Sequence, residues 1–115
     1  PSRYEPCGIG QLIAMRYGTI PVARRTGGLA DTISDYRSLV GTTRNREGEG
    51  TGFLFSDYTA DALQGCMKRA LCVYVNKARW KKLMRSAMKM NFSWSDSAKR
   101  YIELYDKVVR MKRQR

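Results

Sequence analysis

The second half of the chain repeats its apolar residues at helical spacing. Ala62, Cys66, Ala70 and Tyr74 stand four apart, and Leu63, Met67, Leu71 and Val75 form an adjacent row. Two neighbouring i, i+4 rows make one amphipathic stripe, which predicts a helix with Thr59 as its N-cap. A second helix is predicted from Trp80, Leu83, Met84, Ala87 and Met88, with lysines and arginines at most other positions. A third opens at Ser93-Trp94-Ser95-Asp96, the spacing of a capping box. Its stripe is Trp94, Ala98, Tyr101, Ile102, Tyr105, Val108 and Val109. The methionines and aromatics on these stripes read as packing rather than as a cofactor box. Residues 110–115 are expected to fray.

The first half is patterned by glycine instead. Residues 1–10 read as loop, and residues 11–17 as a short buried helix that Gly18 stops as its C′ residue. Residues 19–23 form a β-branched run, predicted to be a buried strand, with Pro21 counting against it. Thr26-Gly27-Gly28-Leu29 is a second glycine turn, and residues 30–33 could lead into another strand. Residues 37–50 are polar and glycine-containing, and read as a surface loop. Residues 51–55 are a brief apolar strand. A strand directly after a helix suggests a step of a parallel sheet, so the class is α/β with three helices following the sheet.

Composition narrows the chemistry. At 115 residues the chain is at most one domain, and 43% hydrophobic residues is ordinary for a globular core. No apolar run is long enough to span a bilayer, and no signal-peptide pattern opens the chain. It begins at Pro1 without an initiator Met, and is expected to be a piece of something larger. There is no histidine, which removes Ser-His-Asp and Cys-His catalysis and histidine metal sites. Cys7, Cys66 and Cys72 make an odd count without a CxxC pair, so neither a disulfide framework nor a zinc site is indicated, and a reducing compartment fits better. Cys66 lies on the helical stripe as inert core, and Cys72 off it.

The net charge of +12 is uneven: residues 1–58 carry +1 and residues 59–115 carry +11. A basic helical surface can meet nucleic acid or another polyanion. No RNA-binding or zinc-finger signature interleaves with these charges, so a solvated face, or one facing an acidic partner, is the favoured reading.

Chemistry concentrates near the start. Glu5-Pro6-Cys7-Gly8-Ile9-Gly10-Gln11 is a glycine turn that feeds a helix N-terminus, with a carboxylate just before it. Such a turn exposes several backbone N–H groups, which favour a phosphate or other anion. A plain structural turn has the same pattern.

The motifs then become longer and more specific. Pro1-Ser2-Arg3-Tyr4-Glu5-Pro6-Cys7-Gly8, Gln11-Leu12, Ala14-Met15-Arg16-Tyr17-Gly18-Thr19-Ile20-Pro21-Val22 and Arg25-Thr26-Gly27-Gly28-Leu29-Ala30-Asp31-Thr32 closely resemble the bacterial glycogen synthase and plant starch synthase family. The match continues at Gly50-Thr51-Gly52-Phe53 and Phe92-Ser93-Trp94. The resemblance implies a retaining glucosyltransferase of the glycosyltransferase-B fold, which has two Rossmann-like domains facing a cleft. It uses ADP-glucose to extend α-1,4-glucan and needs no metal or other cofactor. Residues 1–115 correspond to the C-terminal part of the nucleotide-sugar domain, and the missing N-terminal domain of the same parent is then a partner. A cytoplasmic location in a bacterium is implied, or the plastid stroma in a plant or alga.

By the same resemblance, Glu5 is the carboxylate that approaches the donor glucose. Cys7, Gly8 and Ile9 form the loop whose backbone meets sugar hydroxyls, and the amides of Gly10 and Gln11 reach the diphosphate. Thr26, Gly27 and Gly28 belong to a further substrate-binding element. Two positions depart from common patterns. Gly10 replaces the usual threonine, and Ile13 stands where many related glycosyltransferases carry a second glutamate, a position these synthases commonly lack too. A related enzyme using a UDP- or GDP-sugar, and a non-enzymatic polyanion-binding module, are the alternatives.

Overall fold

A computed structural model describes residues 1–36 and 50–113. In chain order the elements are α1 (Gly10–Arg16), β1 (Val22–Arg24), α2 (Gly27–Thr32), β2 (Phe53–Phe55), α3 (Ala60–Tyr74), α4 (Lys77–Met88) and α5 (Trp94–Arg113). The two strands are parallel, with Val22 opposite Phe53, Ala23 opposite Leu54 and Arg24 opposite Phe55. An isolated bridge from Asp35 to Gly52 extends the pairing.

Helices cover both faces of this sheet, as parallel strands require. Side chains alternate along a strand, and β2 uses both sides. Phe53 and Phe55 join Tyr36, Cys66, Ala70, Val73 and Leu83 in one core. Leu54 points the other way, into a core with Met15, Leu29, Ile33 and Ala87. Phe53 is fully buried, with Tyr36 at 5.5 Å and a parallel Trp80 at 6.4 Å between ring centroids. Each such buried side chain contributes roughly 1.5–3 kcal/mol. The α/β reading with a parallel sheet and three following helices therefore holds.

Several boundaries moved, each for a physical reason. The first strand begins at Val22, after Pro21, which has no N–H to give; its carbonyl instead accepts from the N–H of Phe53 at 2.9 Å. This strand is not buried, because its described pairing is with β2 alone and Val22 is exposed. Residues 30–32 complete α2, and the extended chain after them forms only the single parallel bridge at Asp35, not a strand. Thr26 has extended backbone and stands as N-cap, so the glycine turn opens α2 instead. The loop expected over residues 37–50 lies outside the described residues apart from Gly50, which is buried. Gly18 does stop α1, in the left-handed conformation at φ 78°. However, α1 buries only Gln11 and Met15; Ile13 and Tyr17 are exposed.

In α3 the Thr59 hydroxyl caps the helix by accepting from the N–H of Ala62. Its first row packs through Ala62, Cys66 and Ala70, with Val73 added, while Met67, Leu71 and Val75 face outward. In α4, Leu83 and Ala87 are buried and Met88 is exposed. The capping box at Ser93 does not form as expected: Asp96 accepts from Asn91 at 2.8 Å, and the Ser93 N–H donates to Asn91. Residues 110–113 remain helical. The largest difference concerns α5, where no residue is buried and the whole apolar stripe from Trp94 to Val109 lies open. Among the described residues no helix is long and apolar enough to cross a membrane.

Candidate functional site

Arg24 ends β1 and fixes where the N-terminal loop lies. Its Nη1 donates to the carbonyl of Arg3 at 2.6 Å and its Nε to the carbonyl of Ser56, just past β2, at 3.0 Å. The segment leading to Glu5 is thus held at the carboxyl ends of both strands, the edge where open α/β sheets bind ligands.

The second glycine turn grips the next residues. The Gly28 N–H donates to the carbonyls of Glu5 at 2.9 Å and Pro6 at 3.1 Å. There is no room for a side chain here: a Cβ on Gly27 would collide with the Glu5 carbonyl, and one on Gly28 with the Cys7 carbonyl. Gln11 holds the loop from the α1 side. Its side chain is buried, and Nε2 donates to the carbonyls of Cys7 at 3.2 Å and Gly8 at 3.0 Å, and to Thr32 Oγ1 at 3.1 Å. Gly8 takes the left-handed conformation, φ 71°, which lets the chain turn beneath the Gln11 amide.

Two kinds of group remain available at this edge. The backbone N–H groups of Cys7, Gly8, Ile9, Gly10 and Gln11 donate to no acceptor among the described residues. Glu5 is half-buried, and its carboxylate has no hydrogen-bond or ion-pair partner among them. An acid beside a fan of unspent amides can bind a ligand that carries both hydroxyls and an anionic group. The helix α1 has only seven residues, so the amides themselves, more than a macrodipole, supply the positive potential. Among the described residues no group of three or more His, Cys, Asp or Glu could hold a metal ion.

The predicted site residues thus divide. Glu5, Cys7, Gly8, Ile9, Gly10 and the Gln11 backbone lie together on the open edge. The Gln11 side chain and Gly28 are turned toward the loop itself, Gly27 packs on it, and Thr26 is the N-cap position of α2. An apolar groove formed by Leu12, Arg16, Tyr17, Met90 and Phe92 does not include the Glu5 loop. Sequence reasoning missed Arg24 and Thr32. For Thr32 the available signal was the rule that buried polar side chains are hydrogen-bonded, applied to a glutamine on the inner face of a short helix; nothing in the sequence pointed to Arg24.

The sequence has curated relatives. Over 105 residues, 91% of the chain, it is 52% identical to a glycogen synthase of Thermodesulfovibrio yellowstonii. Over 112 residues it is 51% identical to a glycogen synthase of Geotalea daltonii. The chain is a relative of the glycogen and starch synthases. Among solved structures, the catalytic domain of starch synthase IV from Arabidopsis thaliana, bound to ADP and acarbose, superposes with a TM-score of 0.76 at 38% identity over 93% of the chain. The chain spans only 18% and 22% of the length of the two synthases, and 21% of the starch synthase chain. No protein-family model matches it.

Proposed function

We propose that this chain is the nucleotide-sugar-binding part of a retaining glucosyltransferase that moves glucose from ADP-glucose to the non-reducing end of an α-1,4-glucan. The observation that carries the reading is the pairing of an unpartnered Glu5 with the unspent amides of residues 7–11, in a chain half identical to glycogen synthases. The starch synthase relative, whose structure holds ADP and acarbose, supports the choice of donor and acceptor.

Breaking a glucose–phosphate bond leaves a cationic sugar and a departing diphosphate. Fixed N–H donors at the diphosphate stabilise the charge that develops there. Glu5 grips sugar hydroxyls and stabilises positive charge at the anomeric carbon. No metal or other cofactor enters this scheme. The same reading supplies a cover for α5: its apolar half-cylinder packs on the rest of the parent, which provides the acceptor side of the cleft. The isolated chain then has negligible transferase activity.

The test is turnover of the intact parent with ADP-, UDP- and GDP-glucose, together with Glu5→Gln. ADP-glucose should be preferred, the new linkage should be α, and the variant should lose about two orders of magnitude in turnover, comparable to losing one preorganised electrostatic group. A near-normal rate for the variant removes Glu5 from the mechanism, and preference for another donor overturns the substrate assignment.

A further inference from the structure

We propose that Thr32 is a positioning residue for the Glu5 loop, acting through Gln11 to aim the amides of Gly8 and Ile9 outward. The inference rests on the glucosyltransferase reading for its activity arm alone.

The Thr32 hydroxyl makes two hydrogen bonds. It donates to the carbonyl of Gly28 at 2.6 Å and accepts from Gln11 Nε2 at 3.1 Å. A threonine in a helix commonly back-bonds to the carbonyl four residues earlier. Here that bond fixes the hydroxyl rotor and leaves a lone pair facing Gln11. The Gln11 amide in turn holds the carbonyls of Cys7 and Gly8. The Gly28 N–H, which belongs to the preceding peptide unit and is not a partner of the hydroxyl, holds the carbonyls of Glu5 and Pro6. Of the four successive loop carbonyls held from below, the hydroxyl therefore reaches two, those of Cys7 and Gly8, through Gln11.

Peptide planarity converts this grip into a direction. In a trans peptide the carbonyl of one residue and the N–H of the next point opposite ways. The described chain contains no cis peptide. With the carbonyls of Pro6, Cys7 and Gly8 pinned inward, the N–H groups of Cys7, Gly8 and Ile9 must face outward, and these are among the amides without a protein acceptor. The Gln11 NH2 has two hydrogens for three acceptors, so one is shared. Loss of the Thr32 oxygen removes the one of these acceptors that lies outside the loop, and with it the tie from the Gln11 amide to α2.

Thr32→Val keeps the shape and removes the hydroxyl; Thr32→Ser keeps the hydroxyl. In the intact enzyme, Thr32→Val should lower kcat about tenfold with the acceptor KM unchanged, because a small displacement of preorganised donors is felt at the reacting bond. Thr32→Ser should stay within about twofold of the parent rate, on the same ground. In the 115-residue chain, exchange of the Gln11 side-chain amide should accelerate in Thr32→Val while Leu83 keeps its protection. Parent-like kcat in Thr32→Val, or a loss that only follows the folded fraction, overturns the proposal. So does unchanged exchange of the Gln11 side-chain amide. If Thr32→Val does not fold, Thr32→Ala against Thr32→Ser decides: equal rates overturn the role, and a slower alanine variant upholds it. Should the unaltered enzyme show no turnover with ADP-glucose, the function reading fails, and the exchange result alone upholds or overturns the clamp.

Discussion

The Arg69 guanidinium meets the Asp35 carboxylate at 3.2 Å. Asp35 is the more buried partner and also accepts from the N–H of Leu54 at 2.8 Å, while Arg69 donates to the carbonyl of Leu54 at 2.8 Å. Together they bracket both polar groups of the middle residue of β2 and tie α3 to the sheet. Burial alone would lower the pKa of Arg69, but the hydrogen bond and charge of Asp35 outweigh it and raise it overall.

Arg69→Ala leaves a mostly buried carboxylate short of a partner and a buried carbonyl without a donor. It should cost about 1–3 kcal/mol, toward the lower end because water screens a guanidinium that is 43% exposed. Arg69→Lys should lie between, since an ammonium cannot fork across both acceptors. Urea midpoints of the two variants check this; an alanine variant as stable as the parent refutes it.

Stability should fall in alkali through Cys66. Burial pushes this thiol above its ordinary pKa, and the hydrogen bond from Arg69 only partly offsets that. The folded state therefore holds a proton that the unfolded state releases. The contribution is complete below the unfolded thiol pKa, about 8.5, and is lost as pH rises above it. Cys66→Ala should flatten the decline in unfolding free energy between about pH 8 and 10, after allowance for its own constant cost.

Two glycines predict opposite outcomes. Gly10 has no heavy atom within 4 Å of where a Cβ would stand, and its φ is not left-handed. Gly10→Ala should raise stability by about 0.4–1 kcal/mol through the unfolded chain. Gly28→Ala drives a Cβ into the Cys7 carbonyl and should cost about 1–3 kcal/mol. Denaturation of both variants under one set of conditions gives the comparison, and equal effects would contradict it.

The elements were legible where one residue pattern had one partner. Thr59 as cap, Gly18 as stop and the Phe53-Leu54-Phe55 strand followed from local chemistry and were found in place. Strand Val22–Arg24 was displaced because proline shifts where pairing can begin. Residues 30–33 misled because β-branched Thr32 and Ile33 suit a strand, whereas Thr32 closes α2 and only from Ile33 is the chain extended. The grouping of residues 5 and 7–11 was readable from a glycine turn. The clamp beneath it was not, because it joins Gln11 to Thr32, 21 residues apart.

The stripe of α5 was legible as a pattern, but what it packs against was not. Ile102 is 60% exposed, so Ile102→Lys should change the stability of the isolated chain by less than about 0.5 kcal/mol. In the intact enzyme, where the proposed remainder covers this face, the same change should cost about 2 kcal/mol or more. Thermal denaturation of both forms distinguishes them; equal, small shifts would mean that nothing covers α5.

Gly28 holds Glu5 by its carbonyl and leaves its carboxylate untouched. The main chain at this residue is therefore an anchored pivot, and the acid is a free arm on it. Rotation about two or three side-chain bonds re-aims the negative charge without moving a single backbone amide.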